Sequence, residues 1–538
     1  MTYTTGSSNA YTSPEAGQYH NKPYKGEMTV GNTTATVIDG SVFGYYNDMI
    51  GYHNINLFAG INVKESSDES HSVYVRDIPA GGFANPQFAR EFPNAPTTFQ
   101  QKTRLFGTIV SLNYTYRNIY LLDATWRMDG NSSFGSETRF APFWSMGLGL
   151  NIHNYAFMKG VNWLSELKIR GSYGVTGKAN FPANTARTLY TINSKSVYPT
   201  GLGGNITAMG NKNLKWEKTK ITDLGTTINI LDGLLVFTGT YYFRRTVDLI
   251  ADMYIPSSSG FLSYKDNIGE ITNNGYEISL RVKALAKSDA QLYFTANVAS
   301  NKNKIKKISE SLKSYNQKIE EKYQDNAHKI ETKKPLLKYV EGASTTSIYA
   351  MRSLGINPQT GDEIFRYKDG SYGTEWLASE NVAIGNTEPK MNGTLSSNLL
   401  LYGVTLDVYF TYTYGGQQYN QTLQTKIENA DIENNVDKRV FTDRWKKQGD
   451  IAGFKSLKQY NVPTNPTSRF VQDDNTLTLQ SVSVGYELPS DILKKIRFSR
   501  VKLAFNMNDV FRVSSIKQER GLSYPFARSY SFSVNVGF

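Results

Sequence analysis

The last ten residues, 529–538, read S-Y-S-F-S-V-N-V-G-F. Tyr530, Phe532, Val534, Val536 and Phe538 are large and apolar, and the residues between them are small or polar. Side chains alternate across a strand, so this segment has one greasy face and one wet face. About ten residues at strand rise cross a bilayer when the strand is tilted. A strand of a soluble sandwich alternates too. Here the chain also stops on an aromatic residue, and the pattern recurs many times upstream. The reading therefore sets Tyr530, Phe532, Val534, Val536 and Phe538 against lipid.

Working upstream, the alternation fits 499–509 (Val501, Leu503, Phe505, Met507), 475–486, 404–414 and 390–401. It continues through 290–303, 270–283, 234–247, 220–231, 167–176, 142–152, 119–129, 104–116, 53–64 and 32–46. In 404–414 the residues Val404, Leu406, Val408, Phe410, Tyr412 and Tyr414 fall on one side, with Thr405, Asp407, Thr411 and Thr413 on the other. The apolar sets are almost free of charge, as a lipid face requires, and the other sets carry Asp, Lys and Arg as a polar lumen does. Residues 1–31 are polar and read as loop. Connections alternate between short ones, such as 117–118, 232–233 and 402–403, and long wet ones at 65–103, 177–219, 304–389 and 415–474. The Lys/Glu-rich stretch 304–340 reads as part of a long excursion with room for a short helix. Sorting of connections by length is the mark of an outer-membrane barrel, with short periplasmic turns and long outer loops.

The fold expected is all-β, an antiparallel transmembrane β-barrel segment of about 15 strands. An odd set begins and ends in the same direction, whereas single-chain bacterial barrels use even numbers. The expectation is an open sheet, with 32–46 and 529–538 as unpaired edges that would meet strands from elsewhere.

Composition agrees. The chain has 538 residues and only 39% hydrophobic residues, and no run approaches the roughly 18 apolar residues of a spanning helix. The 36 Tyr and 27 Phe suit interfacial girdles. There is no Cys, which excludes disulfides and thiolate metal sites. The net charge of +12 is spread, and its densest cluster, Lys302 to Lys338, is mixed with Glu, so nucleic acid is not the expected partner. The N-terminus has neither a basic nor an apolar leader segment, which for an exported protein suggests a fragment or a processed form.

The order of short motifs resembles the SusC/RagA family of TonB-linked outer-membrane proteins. They are R-M-D-G-N-S-S-F-G (127–135), L-K-I-R-G-S-Y-G-V-T-G (167–177), N-L-K-W-E (213–217) and Y-Y-F-R-R-T-V-D-L-I (241–250). G-I-N-P-Q-T-G-D (355–362), D-R-W (443–445), V-G-Y-E-L-P (484–489) and the terminal strand follow in the family's order. The resemblance implies a barrel of about 22 strands, of which 1–538 would be the C-terminal portion. It places a plug domain, a TonB-contacting segment and a signal peptide outside this sequence. It also implies import of an oligosaccharide or peptide across the cell outer membrane, with a SusD-like surface lipoprotein as partner and TonB engaged through the missing N-terminal part. A passive porin or channel, and a surface adhesin, are the alternative readings.

No catalytic, cofactor or metal constellation emerges. Asp431 and Glu433 are paired carboxylates without a companion signal for hydrolysis. The strings D-G-N-S-S (129–133) and N-P-Q-T-G-D-E (357–363) offer oxygens to a calcium ion or, more simply, close Asx turns. Tyr372, Trp376, Tyr419 and Trp445 are aromatic residues in the long loops, suited either to stacking on a ligand or partner or to packing loops together. Tyr198, Tyr339, Tyr349 and Tyr460 extend that set.

Overall fold

Each alternating segment becomes a strand, and the strands pair with their chain neighbours in one antiparallel sheet. The computed structural model describes residues 2–15, 25–81, 84–178, 184–199, 201–254, 261, 263–325, 334–459, 462–516 and 528–538. In chain order the strands are β1 (Thr2–Thr12), β2 (Glu27–Ile50), β3 (His53–Arg76), β4 (Thr97–Tyr116), β5 (Tyr120–Asn131), β6 (Phe140–Asn151), β7 (Leu164–Lys178) and β8 (Glu217–Ile230). They continue with β9 (Leu235–Tyr254), β10 (Ser263–Ala286), β11 (Ala290–Lys307), β12 (Met391–Leu401), β13 (Val404–Tyr419), β14 (Val471–Glu487), β15 (Arg500–Ser514) and β16 (Ser529–Gly537).

The sheet has 16 strands, one more than the alternation predicts. The addition is β1, T-Y-T-T-G-S-S-N-A-Y-T, which lies in the stretch read as loop. It pairs along its whole length with β2, from Thr2 opposite Val37 to Thr12 opposite Glu27. The count is therefore even, and the parity argument for an open sheet fails. The sheet is open nonetheless among the described residues: β1 bonds to β2, β16 to β15, and the edges do not meet. Segment 32–46 is not an edge at all.

The stretch 65–103 is corrected likewise. β3 runs on to Arg76 and β4 starts at Thr97, so strand covers most of the expected loop. From Glu65 to Ser72 both faces of β3 are polar, as are their β4 partners apart from Phe99, with Glu65 opposite Arg104 and Ser67 opposite Lys102. β3 turns apolar again only at its tip, where Val75 packs with Met28 and Ile78. A strand standing in water on both sides has no apolar period to read.

The longest connections all leave one end, but 152–163 and 488–499, at the end of the tight turns, are longer than 132–139 and 255–262 at the other. One end of the sheet carries 51–52, 117–119, 152–163, 231–234, 287–289, 402–403 and 488–499. The other carries 13–26, 77–96, 132–139, 179–216, 255–262, 308–390, 420–470 and 515–528. The tight turns take left-handed backbone, with φ 55 and 56 at Arg117 and Asn118, and 48 and 87 at Tyr402 and Gly403. Positive φ at both central residues gives a twist that matches the flanking strands.

Register lines the apolar residues up across strands. Tyr530, Phe532, Val534 and Val536 stand opposite Met507, Phe505, Leu503 and Val501. The row continues from Phe505 to Val484, Leu406, Leu399 and Leu292. Trp126 and Trp144 face each other on interior strands and each is 44% exposed. A large aromatic left open in mid-sheet means that this face is uncovered by protein. The opposite face is polar and bonded to itself: Asn113 donates to Asp123 at 2.5 Å, Asn398 to Asp407 at 2.7 Å, and the Ser111 and Thr125 hydroxyls lie 3.0 Å apart.

Candidate functional site: a folded module on the long-loop rim

The excursions 308–390 and 420–470 leave neighbouring strand pairs, β11–β12 and β13–β14, and fold together. The first holds helix α1 (Glu310–Asp325), a pair of strands (Ser347–Ala350 with Val382–Asn386) and a three-stranded sheet of Arg352–Ile356, Glu363–Arg366 and Tyr372–Gly373. The second contributes a π-helical turn, Leu423–Glu428, and a short helix, Arg439–Thr442. Met351 donates its N–H to Pro466 O at 3.4 Å, and Ser468 returns one to Met351 O at 3.0 Å. Met351, Ile427, Val440 and Phe470, drawn from both excursions, are at most 1% exposed. The pair has its own buried core and is one module.

Buried charge sits at its centre. Arg469 makes a bidentate contact with Glu363, 2.8 Å through Nε and 2.7 Å through Nη2, and reaches Glu428 at 3.2 Å through Nη1. The three side chains are 10%, 3% and 0% exposed. Burial works against the Arg469 charge, but Glu363 and Glu428 together outweigh it and hold its pKa above the ordinary arginine value. Arg444 is buried beside them and donates to the carbonyls of Ile427, Glu428 and Lys455. Burial pushes its pKa down. Burial likewise pushes the Lys455 ammonium down, against the pull of Glu428 and Glu363.

The sequence motifs meet in pairs. Trp445 of D-R-W donates Nε1–H to Pro358 O at 2.9 Å and packs on Gly361 of G-I-N-P-Q-T-G-D. Gly361 has φ +76, and a Cβ there would fall 2.6 Å from the Trp445 ring, so only glycine fits. At the other flank of the rim, Phe134 of the 127–135 motif stacks on Trp216 of N-L-K-W-E at 4.4 Å, with Phe143 edge-on at 5.4 Å. Glu217 accepts the Ile250 N–H at 2.8 Å, and Lys215 pairs with Asp248 at 3.0 Å, which joins N-L-K-W-E to the 241–250 motif. The oxygen-rich strings form Asx turns: Asn131 Oδ1 accepts from Ser133 N at 2.8 Å and Asn357 Oδ1 from Gln359 N at 2.9 Å.

Tyr372, Trp376, Tyr419 and Trp445 all belong to this module or its root, but they are not one site. Tyr372 is 67% exposed. Trp376 is half-buried, donates to Pro466 O at 3.1 Å, and borders a cleft of about 420 Å³ with Asp362, Glu375, Lys455 and Thr464. Trp445 is occupied by the Gly361 contact. The Tyr419 hydroxyl is buried, with its ring against Phe470 at 5.9 Å. Tyr349 is 3% exposed, and Tyr339 exchanges backbone hydrogen bonds with the Asn316 side chain. Tyr460 and the Tyr198 side chain lie outside the described residues. Sequence reasoning missed Glu428 and Arg469, and took Glu363 only as the last residue of the oxygen-rich string 357–363, because single charges in a polar loop read as solvated.

Three comparisons bear on this architecture. Residues 2–327 match the family model described as TonB dependent receptor-like, beta-barrel. TonB-dependent receptor P3 of Formosa agariphila is 25% identical over 558 residues, covering 94% of this chain and 52% of that protein. TonB-dependent receptor SusC of Bacteroides thetaiotaomicron is 34% identical over 219 residues, covering 40% of this chain and 22% of that protein. The chain thus spans about half or less of the curated relatives it matches. Among solved structures, the RagAB peptide transporter superposes with a TM-score of 0.84 at 20% identity, covering 100% of this chain and 59% of that one, a likeness of fold. The family match and the fold agree with the motif order, and the chain belongs to the TonB-dependent receptor β-barrel family.

Proposed function

We propose that this chain is the barrel part of an active outer-membrane importer of the SusC/RagA type, in a Gram-negative, Bacteroidetes-like cell. Its cargo is an oligosaccharide or a peptide, taken in with a SusD-like surface lipoprotein, and the energy comes through TonB. The observation that carries the reading is the family match over 2–327 on a sheet whose longest connections leave one end. In this reading the apolar face, including Tyr530, Phe532, Val534, Val536 and Phe538, lies in lipid. The rim module faces the cell exterior, and Tyr372 and Trp376 are its aromatic contacts for ligand or partner. Further strands pair onto β1 and β16, and a plug and TonB-contacting segment belong to the same full-length protein.

The test is affinity purification of the full-length protein from its native outer membrane, with uptake measured before and after collapse of the proton gradient. A co-purifying surface lipoprotein and loss of uptake on collapse are expected. Recovery without a lipoprotein, with uptake that persists, replaces this reading with a passive porin.

A further inference from the structure

On β8, the apolar stripe Ile230, Ile228, Leu224 ends at Lys220, and on β9 the stripe Phe237, Tyr241, Phe243 ends at Arg245. On β11 the stripe Phe294, Ala296, Val298 ends at Lys302 and Lys304. Register puts these on one face of the sheet. Lys220 stands opposite Arg245, Arg245 opposite Thr272, and Thr272 opposite Lys304. One row lower, Phe243 faces Asn274 and Asn274 faces Lys302. Three strand spacings separate Lys220 from Lys304, about 15 Å. All four cations are exposed.

Their pairing sets them apart from the other cations at this level. Where the β3–β4 stripes end, Lys102 and Arg104 both bind Glu65, at 2.5 and 2.7 Å. In the β8–β11 patch, Arg245 is held by Glu270 at 2.9 and 2.8 Å. No carboxylate pairs with Lys220, Lys302 or Lys304 among the described residues. The three lysines, on β8 and β11, flank the strands that carry Tyr241 and Phe243 (β9) and Tyr276 (β10). Lys220 and Lys304 stand nearer the long connections than all three aromatic residues, and Lys302 is level with Phe243 and nearer than the other two. That is the height at which lipid headgroups meet a barrel's aromatic girdle.

We propose that the outward face of β8–β11 binds the phosphate of an outer-leaflet glycolipid, with Lys220, Lys302 and Lys304 as its contacts and the aromatic residues below against its acyl chains. This rests on the reading that the apolar face lies in lipid. An ammonium is a point-charge donor suited to a phosphate that arrives in varied orientations. A basic residue near an anionic surface contributes about fivefold in binding.

The test uses full-length protein, purified in detergent and stripped of lipid. It is titrated with phosphorylated glycolipid from the same membrane, with that glycolipid after phosphatase treatment, and with inorganic phosphate alone. Saturable binding of the phosphorylated form is expected. Phosphatase treatment of the lipid should weaken it at least about tenfold, as should the joint substitution Lys220→Gln, Lys302→Gln and Lys304→Gln. The corresponding Lys→Arg triple should retain it. Equal binding by wild type and the Gln triple, equal binding of both lipids, or an equal response to inorganic phosphate overturns the proposal. Val534→Arg runs beside these. If it blocks assembly while the Gln triple binds as wild type, this proposal fails and the lipid face stands. If it assembles normally, both fail.

Discussion

Arg469 shows how a single side chain holds the rim module together. Its guanidinium is 10% exposed and clamps two carboxylates contributed by different excursions. Arg469→Met leaves Glu363 and Glu428 buried without it, and breaking one side of a buried ionic cluster costs about 3–5 kcal/mol. Faster proteolysis between residues 352 and 470 is expected, with the strands of the sheet unaffected. Restoring charge balance by adding Glu363→Gln and Glu428→Gln should recover much of the resistance. Lys455 gives the same cluster a pH dependence. Its folded pKa lies below the ordinary lysine value, so it is harder to protonate in the folded module than in the unfolded chain. The penalty is present in full below the folded pKa and fades as pH rises through the interval up to the ordinary value. Module stability should therefore climb across that interval, and the gap between wild type and Lys455→Met should narrow, as read by protease resistance against pH.

At the scale of elements, what was legible and what was not follow from the solvent on each side of a strand. Where one face is apolar and the other wet, as in β5, β13 and β16, the period of two is plain and the strand was placed within a few residues. β1 and the middle of β3 from Glu65 to Ser72 carry polar residues on both faces, so Glu65 to Ser72 reads as loop. The aromatic loop residues were visible as a set, but whether each one faces outward or closes the module depends on partners distant in sequence. Trp445 meets Gly361, and Trp376 meets Pro466. Two predictions belong here. Val534→Arg puts a charge on the apolar face of β16, at about 2–4 kcal/mol near mid-membrane, and should block assembly, while Ser533→Arg on the other face is tolerated; a heat-modifiability gel distinguishes them. Trp216→Ala removes the ring between Phe134 and Phe143 and should cost about 3–5 kcal/mol. It should open the 132–139 and 179–216 connections to protease without unfolding the sheet.

For the whole molecule the open edges matter. The ladders of β1 and β16 face outward without a partner among the described residues, and an unpaired edge is a template for another strand. The chain expressed alone in detergent should self-associate, and size-exclusion chromatography should show a broad, concentration-dependent population. A monodisperse monomer would mean that the two edges close on each other.

The rim module is joined in the chain to β11, β12, β13 and β14, four adjacent strands of 16, and its helix α1 also rests against β9. In mechanical terms it is a cantilever clamped along one side of the barrel mouth. A load on its free end, such as a bound partner being pulled, becomes a bending moment at that clamp and is not shared around the rim. Pairing between β13 and β14 shifts register between Thr413 and Gly416, where Gly415 has φ +75. A bulge of this kind already lets a strand bend, so the moment is taken up at the root of β13, next to the Asn475 side-chain Oδ1 that accepts the Gly415 N–H at 2.9 Å.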